Sequence, residues 1–172
     1  DAVAGVEVGT ELVWSYLDES NLPRVVFVNK MDRENANFGR VVSQLSDLFE
    51  ARIIPFQLPI GSQETFQGVV DVIKMKAYLG EEGKEAEVPA ELQEQASEYR
   101  QAIVEAAAES DDELIMKYLE GEELTLEEIV KGLRKRIAEN ELVGVFCGSA
   151  LKNIGIRALV DAFVDYLPSP AE

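Results

Sequence analysis

The sequence predicts an α/β fold, a sheet with flanking helices, interrupted by an acidic segment of mixed α+β character. Three observations carry this. The runs "RVVFVN" from Arg24 and "LVGVFCGSA" from Leu142 are apolar without polar alternation, the texture of strands buried on both faces of a parallel sheet. Each run is followed by residues at helical spacing, the order of an α/β sheet. Between them composition changes: from Gly80 to Glu128, seventeen Asp and Glu face three Lys and Arg, which accounts for −14 of the chain's net −17.

Taken in order, residues 10–19 place Leu12, Val13, Tyr16 and Leu17 on one side of a helix. Pro23 breaks that pattern and the first buried strand follows. Phe38, Val41, Val42, Leu45, Leu48 and Phe49 then mark an amphipathic helix, and "RIIPFQLPIG" predicts another strand. From Phe66 to Pro89 the chain reads as strands around a Gly-rich turn, with Ile73, Met75, Ala77 and Leu79 alternating. Pro89 suits the first turn of a helix whose inner face carries Leu92, Tyr99, Ile103 and Ala106. Ser110 with Glu113, and Thr125 with Glu128, match the capping-box pattern of two further helices. The second of these turns Ile129, Val130, Leu133 and Ile137 inward. After the last strand, Ala158, Leu159, Ala162, Phe163 and Tyr166 share a helical face that Pro168 ends. Residues 1–57 and 141–172 therefore form the sheet-bearing part, and residues 58–140 an inserted α+β subdomain.

Composition narrows the function classes. At 172 residues and 47% apolar, the chain can bury a core, and no apolar run approaches the roughly 18 residues of a membrane span. The opening "DAVAGVE" has neither a signal peptide's basic region nor an initiator Met, so a piece of a longer polypeptide is expected. One cysteine, Cys147, rules out an internal disulfide and fits a reducing cytoplasm. The absence of histidine removes Ser-His and Cys-His nucleophiles and the usual zinc sites. The acidic surface repels phosphate backbones, so no direct nucleic-acid site is expected. That surface reads either as a solvated helical face or as a dock for a basic protein.

The chemistry lies at two strand ends. In open α/β sheets, ligands sit beyond the carboxyl ends of the strands. One strand ends in Asn29-Lys30-Met31-Asp32, the other in Gly148-Ser149-Ala150-Leu151-Lys152. If the strands are neighbours, both loops share one rim, and the rim suits a guanine base. Asp32 can accept two parallel hydrogen bonds from the ring N1–H and the exocyclic amine. Asn29 can donate to the acceptor edge and tie the two loops together. The Lys30 stem can lie along the base face. Ser149 can hold Asp32, and the Ala150 N–H can meet O6. A base that leaves Asp32 without donors should bind roughly 10⁴-fold more weakly. Ordinary turn chemistry is the alternative for Asn29 and Asp32.

"FVNKMDRENANF" together with "GSALKNIGIRALVDAFVDYLPSP" resembles the GTPase domain of translation elongation factor G, and "IPFQLPIGSQETFQGVVDVIKMKAY" and "AESDDELIMKYLEGEELT" extend the resemblance over essentially the whole chain. It implies a partial P-loop-GTPase-type, Rossmann-like sheet. Asn29, Lys30 and Asp32 would match the guanine-specificity loop, and Ser149, Ala150 and Leu151 the second base-contacting loop. The acidic stretch would match this factor's inserted subdomain, which in the family is associated with the flexible stalk protein of the large ribosomal subunit. The parent would be a cytoplasmic GTPase that drives ribosomal translocation, using GTP and GDP with Mg²⁺. The chain departs from the family in lacking G-x-x-x-x-G-K-[ST] and the switch segments, so no catalytic residue and no metal ligand is assigned here. Two alternatives are a nucleotide-independent module docking a stalk protein and a paralogous recycling or release-factor GTPase.

Most affinity for a nucleotide comes from the phosphate cradle and its metal. These 172 residues should therefore hydrolyse no GTP and bind GDP on the order of millimolar or more weakly. Titration calorimetry checks this; micromolar GDP binding would overturn it.

Overall fold

A computed structural model describes residues 1–169. The elements are α1 (Val8–Glu19), β1 (Val26–Val28), α2 (Phe38–Leu48), β2 (Arg52–Pro55), β3 (Gln57–Ile60), β4 (Gly68–Asp71), β5 (Lys76–Leu79), β6 (Lys84–Ala86), α3 (Gln93–Ala108), α4 (Asp112–Leu119), α5 (Leu126–Ala138), β7 (Leu142–Cys147) and α6 (Ile156–Tyr166). The predicted α/β class is found. A three-stranded parallel sheet has the order β1-β7-β2, and a four-stranded antiparallel sheet runs β3-β4-β5-β6.

β7 is central and every one of its six residues is buried. It pairs with β1 from Val145 to Cys147 and with β2 from Leu142 to Val145. The single apolar run expected after α2 is two strands in two sheets. Phe56 is the pivot: its N–H donates to the Val145 carbonyl at 2.9 Å, while its own carbonyl accepts the Val72 N–H at 3.0 Å. Beyond Pro55 the neighbour of β7 is a side chain, with buried Gln57 Oε1 accepting the Cys147 N–H at 3.2 Å. The Phe56 ring fills the space over Gly144, where an added Cβ would lie 2.9 Å from ring carbons. Cys147 is fully buried, and burial pushes its thiol well above the ordinary range.

α2 forms where its spacing predicts, but Leu48 is exposed and Phe49 lies just past the helix end in extended conformation. The Asn37 side chain caps it by accepting the Arg40 N–H, and Phe38, Val41 and Leu45 face the core. α1 differs from expectation. Leu12, Val13 and Tyr16 are exposed, and the helix docks through Trp14 instead. The Trp14 ring stacks on Phe49 at 3.8 Å between centroids and lies 5.0 Å from the buried Arg24 guanidinium. Arg24 in turn pairs with Asp18 at 2.6 Å. A large ring with two flat partners outweighs a stripe of smaller apolar groups.

In the acidic middle, Ile73 and Met75 lie in the turn between β4 and β5, not in an alternating strand; Met75 is left-handed at φ +52°. Asp71 Oδ1 sets that turn by accepting from the N–H groups of Ile73 and Lys74. The cap of α4 is Asp111, which accepts from Glu113 N–H, and the expected Ser110 is not the cap. The Thr125–Glu128 box is present in both directions, and Glu128 also pairs with Lys117 at 2.8 Å, joining α4 to α5.

The acidic helices are not a detached lobe. α3 lies against β2 and α5 against β7 and α6. Glu109 bridges Arg52 of β2 and Arg136 of α5. α3 and α5 approach closely at Gly132, where a Cβ would sit 2.5 Å from the Ala107 carbonyl oxygen. Gly132→Ala should therefore destabilise the chain by about 1–3 kcal/mol despite alanine's better helix propensity. Urea unfolding measures this; unchanged or increased stability would show that the helices part freely.

Candidate functional site

The parallel pairing of β1 with β7 puts Val28 beside Cys147, so the loops that follow leave the sheet side by side. Asn29 Oδ1 joins them, accepting the Lys30 N–H at 2.7 Å and, across 121 residues, the Ala150 N–H at 2.9 Å. With the oxygen engaged twice, the amide's NH₂ end is the one left for a ligand. The backbone repeats the link: Met31 N–H donates to the Gly148 carbonyl at 3.1 Å, and Gly148 N–H to the Val28 carbonyl at 3.1 Å. Gly148 is required there, because a Cβ would lie 2.5 Å from the Ile154 carbonyl oxygen and against the Phe27 ring.

Asp32 is held as a carboxylate. The hydrogen bond from the Ser149 side chain is the largest influence keeping its pKa below the ordinary 3.8, with Lys152 and Arg33 adding smaller attraction. Ser149 is fully buried, and its Oγ also accepts the Lys152 N–H at 3.2 Å. Lys30 is left-handed at φ +66°, and its ammonium pairs with Asp1 at 2.8 Å while over half of its side chain is exposed. Residues 1–3 brace the first loop: Ala2 N–H donates to the Asn29 carbonyl, and Arg40 to the carbonyls of Ala2 and Val3.

All six residues marked by the sequence thus lie in two adjoining loops. Ser149 holds Asp32, and Asn29 joins the two loops through the Ala150 N–H. The Ala150 N–H, expected to be open to a base oxygen, is occupied by Asn29. Leu151 extends into solvent at 77% exposure. Sequence reasoning missed three supports: Asp1 on Lys30, the Met31 backbone, and the Gln63 N–H, which donates to the Met31 carbonyl at 3.0 Å. The last two act through backbone atoms, which leave no residue-type signature.

Other polar clusters serve the fold. A concavity of about 300 Å³ between the β4–β6 strands and the start of α6 is lined by both signs of charge, including Asp71, Lys74, Arg157 and Asp161. Burial raises the Asp71 carboxyl there, and its Oδ1 already accepts the two N–H groups of a turn. Among the described residues no three acidic or thiol side chains converge to hold a metal ion. No helix among the described residues is long and apolar enough to cross a membrane.

A GTP-binding α/β domain with an inserted subdomain is what this arrangement matches. The family profile for the elongation factor Tu GTP binding domain matches residues 1–169, and the chain belongs to that family of translational GTPase domains. The crystal structure of a protein from Thermus thermophilus is similar at a TM-score of 0.90 and 36% identity over 99% of this chain. The chain spans only 26% of that protein's chain. Guanine nucleotides are the ligand class of the family.

With its folded pKa below 3.8, Asp32 contributes its full stabilisation above that value and loses it as pH falls through the lower folded value. Ser149→Ala should move the Asp32 midpoint up toward 3.8, read by carboxyl-carbon NMR titration. An unmoved midpoint would remove Ser149 from the site.

Proposed function

We propose that this chain is the base-reading portion of a translational GTPase of the elongation factor G type, whose whole protein promotes ribosomal translocation in the cytoplasm. Asp32 selects guanine by accepting the N1–H and the exocyclic amine together. Asn29 donates to the ring's acceptor edge while its oxygen fixes the second loop. Lys30 covers the base face. Ala150 meets O6 when its N–H is shared with or released by Asn29. Leu151 completes the loop as an exposed side chain at its rim. Residues 1–57 and 141–172 form the base-binding part, and residues 58–140 are its insertion.

The observation that carries this reading is the bond from Ala150 N–H to Asn29 Oδ1 at 2.9 Å, alongside an ionised Asp32 supported by buried Ser149. Two segments far apart in sequence meet, and one carboxylate, one amide and one cation lie in the adjoining loops. The family supports the ribosome as partner. The acidic face of the insertion suits a basic protein surface, and the resemblance to elongation factor G separately suggests the ribosomal stalk protein as a partner of the insertion. Its α4 exposes Met116 and Leu119 beside that charge.

Asp32→Asn replaces two acceptors with one acceptor and one donor. In the full-length protein it should shift preference from guanine toward xanthine nucleotides by roughly 10²-fold or more. Competition binding measures the ranking, and an unchanged ranking would remove Asp32 from base reading.

A further inference from the structure

Met31 is held from two sides. Its N–H donates into the second loop, at the Gly148 carbonyl, and its carbonyl accepts the Gln63 N–H from just beyond β3. Its side chain is 1% exposed, so the residue cannot swing out without unpacking. Asp32 follows directly, and a carboxylate that meets two parallel donors tolerates little tilt.

The turn that presents Gln63 is heavily determined. Ser62 N–H donates to Thr65 Oγ1 at 3.0 Å, and the Thr65 hydroxyl donates to the Ser62 carbonyl at 2.7 Å. Phe66 N–H donates to the Gln63 carbonyl, and the Phe66 ring is buried. Gly61 is left-handed at φ +75°, and a Cβ there would lie 2.1 Å from the Thr65 carbonyl oxygen. Gln63 itself is left-handed at φ +55°, a conformation a non-glycine residue keeps where its surroundings enforce it.

We propose that the Gly61–Thr65 turn is a positioning element for the base-reading loop, coupling the inserted segment to guanine affinity through the Gln63–Met31 hydrogen bond. This rests on Asn29–Asp32 reading guanine. The link runs through backbone, so its strength is set by the shape of the turn and not by the Gln63 side chain. Linkage makes it reciprocal: a guanine nucleotide tightens the turn, and a partner that displaces β3 changes nucleotide affinity by the same factor.

The test is amide hydrogen exchange and GDP titration on the full-length protein, read at the residues of this chain. Gly61→Ala is compared with Gly80→Ala, which has similar left-handed strain at φ +68° but open space around its Cβ. Gly61→Ala should speed exchange at Met31 and weaken GDP, each by roughly 10-fold, while Gly80→Ala does neither. Gln63→Gly keeps the N–H and should keep the affinity. If Gly61→Ala does not fold, the unmodified full-length protein decides: GDP should slow exchange at Gln63 and leave Gly80 unchanged. Opening at Gln63 with Met31 exchange and GDP affinity unchanged overturns the proposal, as does an equal effect of Gly80→Ala. Absence of GDP binding effects at Asn29–Asp32 in the unmodified full-length protein overturns the guanine reading instead. Coupled exchange at Gln63 and Met31 then still decides the positioning claim.

Discussion

A strand hydrogen-bonded on both edges and covered on both faces has no side on which a polar group can reach water, so it must be apolar to its last residue. β7 is that strand, and the molecule is arranged around it. Its pairing with β1 and β2 consumes its backbone groups, and where β2 leaves, Phe56 and Gln57 take over the remaining bonds. Because β1 and β7 run parallel and in register to their ends, polarity resumes in both at the same height. The rim at Asn29 and Ser149 is thus a product of strand pairing before it is a product of loop chemistry.

The acidic insertion is built into this sheet. The chain departs at Phe56, forms an antiparallel sheet, and returns α3 and α5 to lie on β2 and β7. Arg52, Glu109 and Arg136 mark the seam. Partly exposed pairs of this kind contribute little energy, but they match a charged helix to the one sheet edge that carries an arginine. The dense negative charge faces outward, and the seam itself is apolar, with Ile103, Ala106, Leu133 and Ile137 fully buried.

How much of this was legible follows from what each pattern encodes. β7, α2 and the Thr125–Glu128 box were legible because burial and capping select residue types. The division of "RIIPFQLPIG" into two strands was not, because an apolar run carries no mark of a change of sheet. The turn holding Ile73 and Met75 was missed for a related reason: Asp71 sets it with one side-chain oxygen, and the residues within it remain apolar. For α1, periodicity indicated a helix but not its buried side, which Phe49 and Arg24 decide from elsewhere in the chain. At the site the chemical types were legible in Asn29, Asp32 and Ser149. The hold of Ser149 on Asp32 and the tie through Asn29 were legible too; the partner of the Ala150 N–H was not, since whether it faces a ligand or Asn29 depends on ångström-scale loop placement.

Cys147 sits where β7 ends, directly before Gly148 and Ser149, fully buried and with its thiol disfavoured as a thiolate. It is the chain's only cysteine. A maleimide or iodoacetamide can reach it only when the end of β7 lifts away from Gln57 and the second loop opens. The native thiol is therefore a built-in clock for rim opening, and its alkylation rate reports that motion without any engineered label.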